Sequence, residues 1–138
     1  DSNYPIILMG LYGMAGDHAQ AEHTAHAVIQ AHPQFAGAYD TLGVSLHSQK
    51  RYAEAIEAFY HCLHLMPTTT AELHYNLGVA LHEEDRFEEA MHHLHQAIIV
   101  GLLNNYIFII IKHMILYIFY FKDSVIRLYN QSKLCRTL

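Results

Sequence analysis

Histidine is the residue type with the most latent chemistry in this chain: 13 of its 138 residues are His, and 12 of those precede residue 101. The pairs His23/His26, His61/His64 and His92/His95 are three residues apart, a spacing at which two imidazoles on one helix face can share a metal ion. No Cys or Asp nearby completes a ligand set, so neither a metal site nor a cofactor is expected. His61 follows Glu57, His92 follows Glu88 and His93 follows Glu89, each by four residues. That spacing predicts solvated Glu–His pairs on outer helix faces, with the imidazole toward the C-terminal end where the helix dipole favours positive charge.

Other chemistries find no constellation. There is no Gly-rich phosphate loop, no GxSxG and no HExxH, so no catalytic residue is assigned. The net charge of -5 is unevenly spread: residues 1–100 hold 12 Asp/Glu against Lys50, Arg51 and Arg86, whereas residues 101–138 hold five basic residues and Asp123. An acidic front segment without a basic patch argues against nucleic acid as its partner. Cys62 and Cys135 make neither a disulfide framework nor a metal-ligand spacing, so a reducing, intracellular compartment, the cytoplasm, is expected. The N-terminus lacks a basic region followed by an apolar run; opening on Asp1-Ser2-Asn3 without Met, the chain reads as a fragment or as one that has lost a leader.

The elements that must carry these side chains emerge when the chain is laid on itself. A shift of 35 residues superposes Tyr39–His47 on His74–His82 and Arg51–Ala55 on Arg86–Ala90, 14 positions of identical or similar type. Each copy reads as two helices joined by a polar turn. Leu42 and Leu46, then Leu77 and Leu81, share one face of the first helix. Ala55, Ile56, Phe59, Cys62 and Leu63 form the apolar stripe of the second, Pro67 ends it, and Thr69-x-x-Glu72 is expected to cap the next helix. Asp17-x-x-Gln20 supplies an earlier helix start. Gly43 and Ala55, like Gly78 and Ala90, are 12 residues apart, so each pair is expected to mark the close approach of the two helices in a hairpin.

This pattern, with Leu42-Gly43, Ala55-x3-Phe59 and Pro67 in one copy and Leu77-Gly78, Ala90, Leu94 and Ala97 in the next, resembles the tetratricopeptide repeat. The resemblance implies an all-α, right-handed superhelix of about three hairpins: a degenerate unit at 2–35, a second at 36–69 and a third at 71–104. In the first, Leu8, Tyr12, Ala21, Ala25 and Val28 fall at the family's positions, and Met9 replaces the early glycine. It further implies a protein-binding module rather than an enzyme, its concave groove lined by the first helix of each unit. Carried over, those groove residues are Gly37, Asp40, Thr41, Val44, His47 and Ser48, then Glu72, Tyr75, Asn76, Val79, His82 and Glu83.

Family members that clamp a C-terminal carboxylate use Lys and Arg there, and neither first helix has any. A basic or neutral protein or peptide is therefore the expected partner. His47 and His82 occupy one repeat position, either as neighbours in a pH-sensitive groove or as two unrelated exposed histidines. Asn76 sits where repeat arrays fused to sugar-transferring enzymes carry an asparagine, although Thr41 interrupts that ladder. The alternative is thus the repeat arm of a larger glycosyltransferase or sulfotransferase.

Residues 105–138 are of another kind. Residues 1–100 contain 15 alanines and 101–138 none, and Tyr106–Phe121 is apolar and aromatic except for Lys112 and His113. Three readings stand. A capping helix would need a polar outer face. A membrane span over 101–121 has the length, about 20 residues, but places Lys112 near the midplane at a cost of about 2.5–3.5 kcal/mol; it would make the chain a membrane-anchored adaptor. The third is a non-native tail of translated non-coding sequence, since Ile, Phe, Tyr, Lys and Asn have A/T-rich codons.

Overall fold

The computed structural model describes residues 3–66 and 68–136; Pro67, expected to end a helix, lies outside them. The described residues form six helices: α1 (Tyr4–Ala15), α2 (His18–Ala31), α3 (Ala36–Ser48), α4 (Tyr52–Leu65), α5 (Ala71–Glu83) and α6 (Phe87–Arg136). Chain contacts divide the molecule into Asp1–Gly101 and Leu102–Leu138, a boundary at the composition change. In the first unit, consecutive helices pair as antiparallel hairpins stacked in chain order, the superhelix that the repeat implies.

The three hairpins turn by one device. Gly16, Lys50 and Asp85 occupy the same repeat position and all have left-handed backbone, φ 74°, 62° and 58°. The next residue's amide then reaches back to the first helix: Asp17 to the Tyr12 carbonyl at 3.1 Å, Arg51 to Leu46 at 2.9 Å, and Arg86 to Leu81 at 2.9 Å. These bonds satisfy carbonyls that a helix end leaves open. Only the first hairpin uses the residue for which this conformation is free of Cβ strain.

Helix starts follow from local side chains. Asp17 caps α2 by accepting from the Gln20 amide at 3.2 Å, as its spacing predicts. The α5 start corrects the sequence reading: Thr70, not Thr69, is the cap, its hydroxyl accepting from the Leu73 amide at 3.1 Å. Thr70→Ala is accordingly expected to cost about 1 kcal/mol, read as a lower thermal melting point by circular dichroism, while Thr69→Ala leaves the melt unchanged.

The core runs through the middle of the stack, with Phe59, Leu73, Leu77, Leu81, Val28 and Cys62 essentially inaccessible. The expected close approach is present at Gly78 and Ala90, and in both hairpins a large side chain fills it. A Cβ on Gly43 would lie 2.5 Å from the Phe59 ring, and one on Gly78 would lie 2.7 Å from Leu94 Cγ and 3.2 Å from the Ala90 carbonyl oxygen. The glycine makes room for the large residue at position 59 or 94, not mainly for the alanine four residues earlier. This also explains the first unit, where Met9 aligns with Gly43 and Ala25 with Phe59. Met9 is 4% exposed and Ala25 fully buried. Large and small have exchanged sides, so the volume is conserved.

In the second unit, α6 continues to Arg136. Among its described side chains Ile107, Ile110, Met114, Ile118 and Phe121 are exposed, as are Asn104, Asn105, Lys112 and His113. Among the described residues, one helical stretch, Phe87–Ile115, is long and apolar enough to cross a membrane.

Candidate functional site

First helices α3 and α5 carry the groove residues. Val44, Glu72, Tyr75 and His82 are exposed, whereas Asp40, Thr41, His47, Asn76 and Val79 are half-buried. The Thr41 hydroxyl donates to the Gly37 carbonyl at 3.0 Å and Ser48 to Val44 at 3.0 Å, so both spend their donors on their own helix. Asp40 is different. Its Oδ1 is buried with no hydrogen-bond partner, and its carboxyl is pushed above the ordinary range, first by burial and then by the negative charge of Glu72. Beside it, Ala71, Glu72, Tyr75, Leu94, Ala97 and Ile98 line an open cleft of about 490 Å³. The site therefore combines an acidic pair with an apolar, aromatic wall.

His47 and His82 do share an environment, set within their own hairpins. His47 meets Tyr52 edge-on at 5.2 Å, and His82 meets Phe87 edge-on at 5.4 Å. Tyr52 and Phe87 are equivalent residues opening the second helix, so each pair closes one end of its hairpin. His47 Nε2 is buried without a partner, and His82 is exposed.

The expected solvated pair at His93 is overturned: His93 is 7% exposed and His74 likewise 7%. Their Nδ1 atoms are 3.0 Å apart, a distance that requires one ring to donate and the other to accept. Tyr60 completes the cluster, its hydroxyl 3.4 Å from His93 Nε2 and donating to Glu89 at 3.3 Å. Helices α4, α5 and α6 are thereby tied through one polar knot. Burial, above all, holds both imidazoles below their ordinary range; for His93 the neighbouring His74 and His92 add to this and Glu89 opposes it. The repeat register contained the signal: His93 aligns with Ala58 and Thr24, at 5% and 7% exposure, and His74 aligns with Tyr39. Glu–His spacing four apart describes only the helix itself and is blind to the neighbour across the hairpin.

Cys62 is the remaining candidate nucleophile. Burial, and then Asp40, pushes its thiol up to about 11, so it is protonated and inert near neutrality. Among the described residues no group of three or more His, Cys, Asp or Glu is arranged to hold a metal ion.

Comparisons with known proteins bear on the same residues. A family model described as tetratricopeptide repeat matches residues 11–61, and a second so described matches residues 71–98. Among solved structures, MamA AMB-1 is 25% identical with a TM-score of 0.67, covering 73% of this chain and 55% of that one. MamA MSR-1 is 23% identical with a TM-score of 0.68, covering 75% and 59%. YrrB, described as a TPR protein with an unusual peptide-binding site, is 21% identical with a TM-score of 0.67, covering 72% and 51%. This chain thus spans between 51% and 59% of the length of these three proteins. No curated protein sequence matches it.

Proposed function

Because the chain belongs to the tetratricopeptide repeat family, whose members mediate protein–protein interactions, we propose that α3 and α5 bind an extended segment of a partner protein that places a Lys or Arg between Asp40 and Glu72. The observation that carries this reading is the buried, unpartnered Asp40 oxygen beside a second carboxylate. A guanidinium or ammonium in the cleft would neutralise two like charges and form a charge-assisted hydrogen bond with the exposed Glu72. The apolar wall of Tyr75, Leu94 and Ile98 would take the neighbouring side chain of the ligand. Basic clamp residues for a terminal carboxylate are absent from both helices. The peptide-binding site of YrrB is that protein's property; the support here comes from the acidic pair.

Screening the full chain against a randomised peptide library tests this. Lys or Arg should be enriched at one position, and Asp40→Asn should weaken the selected peptides about tenfold, roughly 1.4 kcal/mol. Since the same change removes a half-buried charge, it should also raise the melting temperature. A library with no basic preference, or equal affinity for wild type and variant, would overturn the proposal.

A second reading is carried by the exposed apolar stretch within Phe87–Ile115: membrane anchoring through residues 101–121, with the basic flank of Lys122, Arg127, Lys133 and Arg136 on the cytoplasmic side. Recovery of the expressed chain in the soluble phase without detergent would sink it.

A further inference from the structure

Beyond Gly101 the second unit is a single stretch of α6, helical without a break to Arg136. A helix that pairs with another along one face carries apolar residues at alternating intervals of four and three, the a and d positions of a heptad, and a heptad can be laid on a sequence in seven ways. Here six of the seven put Lys112, His113, Lys122, Asp123, Ser124 or Arg127 on the seam between residues 107 and 128. The seventh puts none of them there. Its a positions are Ile111, Ile118 and Val125, and its d positions are Ile107, Met114, Phe121 and Leu128. Each of these side chains is between 47% and 64% exposed.

The same register places Asn104 at an a position, one heptad before Ile111, and Asn104 is exposed. An asparagine at a single a position fixes register and strand number in a parallel pair, because its amide both donates and accepts and is satisfied by an identical amide facing it. An antiparallel pair would set a against d and leave Asn104 facing an apolar side chain, with its hydrogen bonds unmade. The β-branched residues at a, opposed to Met114, Phe121 and Leu128 at d, favour two strands over three. Among the e and g positions that flank the seam from 108 to 129, the only charged residue is Lys122. No like charges therefore meet across a parallel pair.

We propose that residues 104–128 of one copy of this chain pair with the same residues of a second copy, as a parallel, in-register, two-stranded coiled coil whose register Asn104 sets. The contact is self-complementary, so it closes as a dimer. In water, desolvation of the a and d side chains drives it. In a bilayer, where lipid is as apolar as the seam, the paired Asn104 amides and the packing along the seam drive it instead.

The test uses the full chain in a mild detergent, with Cys135→Ser leaving only the buried Cys62. Ile118→Glu should convert the sedimenting dimer to monomer. Ile109→Glu, at an exposed isoleucine off the seam, should leave it dimeric, and both variants should keep the helical spectrum. Under a mild thiol oxidant, Met114→Cys chains should form a covalent dimer about tenfold faster than Ile109→Cys chains, since the seam holds like residues face to face. An equimolar mixture of Met114→Cys and Phe121→Cys chains should give few mixed disulfides, and adding Asn104→Ile should make them common by releasing the register. A monomer at every concentration, dissociation by Ile109→Glu as well, or equal cross-linking at Ile109 and Met114 would overturn the pairing. Frequent mixed disulfides with Asn104 in place would overturn its register.

Discussion

Gly78→Leu unfolds the third hairpin. Even the first carbon of the new side chain would stand 2.7 Å from Leu94 Cγ and 3.2 Å from the Ala90 carbonyl oxygen. The leucine end could move, but the carbonyl belongs to α6 backbone, and the remaining three carbons would need space filled by the core. Overpacking of this kind costs about 1–3 kcal/mol when the core can adjust and more when it cannot. A stack of three hairpins is near the minimum for such architectures and has little margin, so the expected result is loss of the cooperative helical melt.

The same contact yields a sharper experiment in the second hairpin. Gly43→Met alone clashes with the Phe59 ring, 2.5 Å from where its Cβ would be, and Phe59→Ala alone opens a cavity costing about 3–5 kcal/mol. Together they reproduce the Met9/Ala25 arrangement of the first hairpin. The double variant should therefore be far more stable than the sum of its parts, a coupling of more than about 2 kcal/mol. Additive losses would show that the exchange of sides is not what keeps the first hairpin packed.

Acidification from pH 7 to pH 5 destabilises the fold through His74 and His93. Both titrate below the ordinary 6.5 when folded, so as pH falls through 6.5 the unfolded chain binds protons that the folded chain refuses. Stability present above that pH is lost at about 1.4 kcal/mol per pH unit for each proton withheld. The carboxylates Glu22, Glu54 and Glu89 are held below 4.5 by their Arg partners and hydrogen bonds against the pull of burial; their loss comes at lower pH and leaves this window to the histidines. Asp40 has the opposite sign, since its raised value lets the folded state take a proton first.

For a unit of about 100 residues the melting temperature should drop by at least roughly 5 °C between pH 7 and pH 5. His74→Tyr with His93→Ala, which installs the residues found at those positions in the second hairpin, should flatten the profile. A wild-type melt independent of pH across this window would remove the buried pair from the account.

The sequence by itself determined whatever is periodic and local. The 35-residue offset, the apolar stripes of α3 to α5, the cap at Asp17 and the early glycines are all readable because helical register repeats every few residues and a hairpin repeats whole. The family followed from the same spacing. Even the Met9 exception was visible, although its compensation at Ala25 was not, because that pairing joins residues 16 apart on two helices. Tertiary structure decided the rest. It put the Phe59 ring over Gly43, a contact that the glycine–alanine spacing does not reveal. It moved the α5 cap by one residue to Thr70, the threonine whose backbone is extended where the helix begins.

It also buried His93 against His74 although Glu89 stands four residues before it, because exposure depends on the adjoining hairpin and not on the helix that bears the residue. Met91 shows the converse: its register equivalent Ile56 is 3% exposed, and Met91 is 68% exposed. Histidines that in the sequence look like a solvated surface feature, or a shared metal site, thus divide in the fold into a buried pair, two hairpin-closing rings, the half-buried His18 and an exposed remainder, because neighbours in space assign those roles.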